Sequence, residues 1–135
     1  MTTQVESLPH NEGFIVSEAN GKRSREIITL DSSIAVVLKA GTVLGKIGSS
    51  GRYVAIDFDA STGEEDAAAI LLADFEVTGA NTPVAALVRD AEVNTGELKW
   101  PAGATSNQKA AALAQLAALN IHGRAVAGTV ETQTT

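Results

Sequence analysis

Two apolar runs, Ala67 to Val77 and Pro83 to Val93, dominate the middle of the chain, separated only by the turn-rich Thr78-Gly-Ala-Asn-Thr. Each is too short to cross a bilayer as a helix, which takes about 20 apolar residues. Both are rich in Val, Leu, Ile and Ala and are bounded by turn residues. Together they predict the central, fully buried strands of one core.

Around them the chain is cut into short pieces. Gly13 to Val16 is a brief strand signal, and Asn20-Gly21 is placed where a hairpin turn would fall before the next one, Ser24 to Leu30. Ile34 to Leu38 is a compact apolar run. Lys39 to Ile47 reads as a turn, a short strand and a glycine break. Arg52 to Phe58 alternates, with Tyr53, Ala55 and Asp57 on one face and Val54, Ile56 and Phe58 on the other.

A single helix is predicted, late in the chain. Thr105 suits the N-cap, and Gln108 three residues on completes a capping-box pattern. Lys109 to Leu119 are strong helix formers, with Leu113, Leu116 and Ala117 expected on the buried face. Asn120 suits the left-handed position that ends a helix, and Ile121 to Val126 follows as a last short strand. The fold class is therefore α+β: a single small β-rich domain of short strands with one late α-helix. At 135 residues one core suffices, since a domain of this size buries roughly 65–70% of its unfolded surface.

The ends are different in kind. Residues 1–12 are polar, with Val5 and Leu8 as their only aliphatics and Pro9 as a break. Such a segment buries too little apolar surface to order alone, and is expected to be a flexible N-terminal arm until a partner captures it. Residues 13–127 form the domain, and 128–135 a polar C-terminal tail.

Several chemistries are not supported. The net charge is −6, and Lys22, Arg23 and Arg25, the one basic cluster, stand beside Glu18 and Glu26, so no nucleic-acid partner is expected. Aromatics make up 4%, too few to line a nucleobase or cofactor pocket. There is no apolar run of membrane-spanning length and no charged-then-apolar leader, so no membrane association is expected. His10 and His122 lack metal-ligand spacing. Glu64-Glu65-Asp66 lacks the alternating oxygens of a calcium loop, and reads as a solvated turn. Asp57 and Asp59 read as a polar face rather than a catalytic pair. No phosphate loop follows Gly41 or Gly45. We expect no enzyme activity, metal or cofactor. An alternative is a small β-clip or barrel-sandwich binding or carrier module, although Lys39 and Lys46 flank a strand instead of occupying a hairpin tip.

The order of motifs in the second half is more specific. Ala67-Ala-Ala-Ile-Leu-Leu-Ala, Ala86-Leu-Val-Arg-Asp-Ala-Glu-Val93, Leu98-Lys-Trp-Pro101 and the alanine-rich helix follow one another. This series resembles the head decoration proteins of tailed phages, the family that includes the phage lambda decoration protein. Gly13-Phe-Ile-Val-Ser-Glu18 and Ala40-Gly-Thr-Val-Leu-Gly45 resemble the start of its longer members, so the similarity spans roughly Gly13 to Ile121.

The resemblance implies a homotrimer that is made in the host cytoplasm, binds the outer surface of the expanded head, and cements the shell against internal DNA pressure. It implies the major capsid protein as partner, engaged by an N-terminal arm, and no cofactor. In this chain the arm contacts would fall on Val5, Leu8, Pro9, Phe14 and Ile15. Ordering such an arm costs about 1–2 kcal/mol per residue. A net hydrogen bond returns only about 0.5–1.5 kcal/mol. One arm would sit near break-even, whereas three on a trimer would gain avidity.

Overall fold

A computed structural model describes residues 13–21 and 23–125; the N-terminal arm and the C-terminal tail expected from the sequence lie outside the described residues. The elements run β1 (Ile15–Glu18), β2 (Arg25–Leu30), β3 (Val43–Lys46), β4 (Tyr53–Ala55), β5 (Ala67–Leu71), β6 (Thr82–Leu87) and β7 (Ala91–Asn94). A 3-10 turn at Thr95–Glu97, the helix α1 (Ser106–Ala118) and β8 (Ile121–Arg124) complete them. Five strands close a barrel in the order β2-β4-β3-β5-β6, and β1-β7-β8 form a separate three-stranded sheet. Short strands and one late helix give the expected α+β class.

The barrel is held by a long antiparallel ladder between β2 and β6, running from Arg25 opposite Leu87 to Leu30 opposite Thr82. Pro83 falls where only β2 flanks β6, so its missing N–H leaves the β5 ladder intact. Parallel β2 and β4 meet only at Leu30 and Tyr53, and this is the thin seam of the barrel. There Arg52 Nε donates to Asp31 Oδ1 at 2.8 Å, and the Asp31 N–H donates to the Tyr53 carbonyl at 2.9 Å.

Strand β5 explains the first apolar run. Ala69 and Leu71 point into the barrel with Leu30, Leu44 and Ala86. Ala67 and Ile70 join a second cluster with Phe14, Val93, Leu116 and Ile121. A strand buried on both faces has no polar alternation to show. Gly45, the glycine break, lies at a register shift in the β3–β5 pairing. The Glu64 backbone lies where a β-carbon at Gly45 would stand, so only glycine fits.

Helix α1 begins as expected. Thr105 Oγ1 accepts from the Gln108 N–H at 3.1 Å, and Gln108 Oε1 accepts from the Thr105 N–H at 2.9 Å. Asn120 has φ 65 just beyond the helix end. The buried face, however, is centred on Ala112 and Leu116, with Leu113 and Leu119 partly buried and Ala117 exposed. The helix packs on β5 and β8 along the Ala112–Leu116 line, and Ala117 is turned about 100° away from Leu116. Gln115 clips the helix to the start of β5, accepting from the Ala67 N–H at 2.7 Å and donating to Asp66 Oδ1 at 2.9 Å.

Other expectations need correction. Asn20-Gly21 is a turn, with Gly21 at φ 71, but it makes no hairpin: β1 pairs with β7, and β2 pairs with β6. Buried Ser24 redirects the chain. Its hydroxyl donates to the Asp90 carbonyl at 2.7 Å and accepts from the Ala19 N–H at 3.0 Å. The run Pro83 to Val93 is two strands, because Asp90 at φ 54 breaks it and sends β6 and β7 into different sheets. Arg52 to Phe58 contributes only Tyr53–Ala55 as strand. Ile34 to Leu38 forms no strand; Leu38 is buried and bridges Phe75, while Val36 and Val37 stand exposed.

Candidate functional site

The residues expected to carry binding fall into two groups. Val5, Leu8 and Pro9 lie outside the described residues. Phe14 and Ile15 are in the body. The Phe14 ring is 2% exposed in the core, and its carbonyl accepts from the Asn94 N–H at 2.7 Å. Ile15 is half-buried opposite Val93 on β1. These two residues fasten the point from which the chain runs back towards residue 12. Among the described residues strand β1 has a neighbour on one side only, β7, so the chain enters the body along the rim of this sheet.

At that entry point, Gly13 and Phe14 border a depression of about 320 Å³ with Lys39, Asp74 and Lys99. Asp74 Oδ1 accepts from the Ala40 N–H at 2.8 Å, and Lys39 Nζ stands 3.5 Å from Asp74 Oδ2. The backbone hydrogen bond, aided by Lys39, holds the Asp74 carboxyl below the usual carboxylate range. Lys99 Nζ donates to the Glu97 carbonyl at 3.1 Å.

Lys39 and Lys99 also border a neighbouring apolar shelf of about 380 Å³, made by Val36, Val37, Trp100 and Pro101 over Val43 and Ala55. Trp100 is half-buried and stacks on Phe58 with centroids 6.4 Å apart, an elbow that fixes one wall of the shelf. On the β2–β6 side of the barrel, Ile27 is exposed beside Ala85, Glu18, Arg25 and Glu26, around a depression of about 480 Å³.

Neither apolar patch was singled out by sequence reasoning. A signal existed for one: Ile27 and Ile28 are adjacent, so on a strand one of them must face outward. For Val36-Val37 no local signal separates an exposed apolar loop from a buried strand.

The other candidates serve local structure. Asp57 Oδ1 accepts from the Asp59 N–H at 3.0 Å. Glu64 and Glu65 bind Thr62 Oγ1 and the Gly63 N–H, and Asp66 binds Gln115. His122 lies exposed on β8, 2.8 Å from Asn120 Oδ1, and His10 lies outside the described residues. Lys46 ends β3 with its ammonium 5.9 Å from the Tyr53 ring. Among the described residues no three His, Cys, Asp or Glu side chains converge as a metal site, and no helix is long and apolar enough to cross a membrane. The barrel interior is filled by Leu30, Leu44 and Leu71, each at most 1% exposed.

Among the described residues the geometry offers three surfaces: a fastened entry point, a shelf beside it, and a second patch on the barrel. No curated protein matches the sequence. The family model of the bacteriophage lambda head decoration protein D matches residues 3–121, which takes in β1 to β7 and the helix, ends at the first residue of β8, and includes most of the segment before Gly13. The chain therefore belongs to the bacteriophage lambda head decoration protein D family.

Proposed function

We propose that this protein acts as a homotrimer on the outer surface of the expanded phage head, where it grips the major capsid protein and stabilises the shell against the pressure of packaged DNA. Membership in the family makes it a structural protein of the phage virion that decorates the capsid. The finer reading is carried by the anchoring of Phe14 and Ile15. With the chain fastened at that point, Val5, Leu8 and Pro9 form the capsid-engaging arm, and Phe14 and Ile15 transmit its hold to the body.

An arm of a dozen residues spans at most about 40 Å when extended, enough to reach past the body's own footprint. Laid along a sheet edge of the shell, it would supply main-chain hydrogen bonds, with Val5 and Leu8 filling pockets. A shell whose sheet edge is exposed only after expansion would then be the only one bound. Co-sedimentation with bare shells before and after expansion tests this reading. Saturable binding to expanded shells in multiples of three copies is the expected result. Binding to neither form of the cognate shell would overturn it.

A further inference from the structure

We propose that the two exposed apolar patches of the barrel pair head-to-tail between copies of this chain, the Ile27 patch of one seating on the Val36–Val37 shelf of the next. This rests on the homotrimer reading and assigns its contact surfaces. Ile27 is 67% exposed and Val36 64%, the two highest values among the exposed large aliphatics of the described residues, above Val16, Val37 and Val77. Ile27 lies opposite Ala85 on β2 and β6, and Val43 at the start of β3 floors the shelf. In the closed order β2-β4-β3-β5-β6, the β2–β6 junction is across the barrel from β3. One chain therefore presents patch and shelf on opposite walls, and can donate one while accepting with the other. Contacts of that kind close into rings when the rotation between copies permits.

Charge disfavours shelf against shelf and favours patch against shelf. The Ile27 patch is bordered by Glu18 and Glu26 against Arg25, and the shelf by Lys39 and Lys99 with no acid in its lining. Glu26 and Lys39 remain 55% and 64% exposed even with Arg89 and Asp74 beside them. Shelf against shelf would oppose ammonium groups, whereas patch against patch would set Glu18 and Glu26 together with their arginine partners Arg25 and Arg89 and bring no opposite net charge. Patch against shelf brings opposite signs together around an apolar centre.

The chain has no cysteine, which permits a direct test. Full-length Ile27→Cys, Val36→Cys and the double variant are oxidised, or bridged with a short bis-maleimide, and run on a denaturing gel. Both positions are exposed, so folding should be kept, with circular dichroism as the check. The expected result is a covalent ladder ending at three chains for the double variant and single chains for each single variant. Cross-linking of either single variant would show a symmetric contact and overturn the pairing. So would a double variant that stays single-chain while the wild type sediments at three times 13.9 kDa. If Val36→Cys then lost maleimide reactivity on shell binding, the shelf would belong to the shell instead. Sedimentation of the wild type as one chain would remove the trimer reading itself, a failure distinct from that of the pairing.

Discussion

The closed barrel and the three-stranded sheet share one small body but solve the problem of strand edges differently. In the barrel every strand has two neighbours, and its longest ladder is the β2–β6 pair. Closure of this kind removes the unpaired backbone that invites further pairing. Among the described residues the sheet keeps two edges, β1 and β8, the first and last of the described strands. Strand β1 also carries a register shift between Ile15 and Ser17. The closed half is thus built from the middle of the described sequence, whereas the half that holds the first and last described strands is open. In the role proposed above, this division supplies a scaffold that resists strain and an open end from which the terminal segment would engage a shell.

The contrast can be broken most severely from the barrel side. Leu30 is fully buried among Leu44, Leu71 and Ala86. Leu30→Ala should lower unfolding free energy by about 2–5 kcal/mol in denaturant titrations, the range for a leucine truncated in a packed core. A loss below about 1 kcal/mol would mean that the barrel is not the scaffold.

Next in size is the clamp between the halves. Ser24→Ala removes the hydroxyl that bridges the Ala19 N–H and the Asp90 carbonyl, which keep their direct hydrogen bond at 3.1 Å. The expected cost is about 0.5–1.5 kcal/mol, that of a net hydrogen bond. Hydrogen exchange should quicken in β1 more than in β2. Equal quickening across the barrel would show that the two halves are not separable.

The smallest effect concerns the barrel seam. Hydrogen bonds from Ser33 and Arg52 lower the Asp31 carboxyl from 3.8 to about 2. A depressed folded-state value stabilises the fold above the unfolded value, and that contribution is lost as pH falls through the folded one. The Tm deficit of Asp31→Asn should therefore be complete above pH 3.8 and vanish as pH falls through about 2. A deficit independent of pH would place the loss in geometry rather than charge. On the open sheet the corresponding pin is Glu92 with Arg124 at 3.0 Å, where the Arg124 hydrogen bond likewise lowers the carboxyl.

Local chemistry was legible in the sequence wherever a short-range rule governs it. The Thr105–Gln108 capping box and the left-handed Asn120 follow from residue type and spacing alone. So does the burial of β5, whose apolar run admits no solvent face. Partnership was not legible. Asn20-Gly21 looks like a hairpin turn, but long-range hydrogen bonds from Ser24 to Asp90 send its flanking strands to different sheets. Asp90 breaks the second run because its backbone takes a positive φ beside Asn120, whose side chain donates to Asp90 Oδ1 at 2.8 Å from thirty residues away. The capsid role was carried by the order of motifs. The surfaces at Ile27 and Val36 emerge only once the barrel decides which aliphatics face out.

The division of labour is tested most directly by deleting residues 1–12 and measuring two quantities on the same preparation, thermal unfolding and affinity for bare expanded shells. The account predicts an unchanged Tm and oligomeric mass, because the core begins at Phe14, together with at least a tenfold weaker shell affinity, or about 1.4 kcal/mol. Shell binding as tight as that of the full chain would contradict it, and would move the capsid contact from the arm to the body.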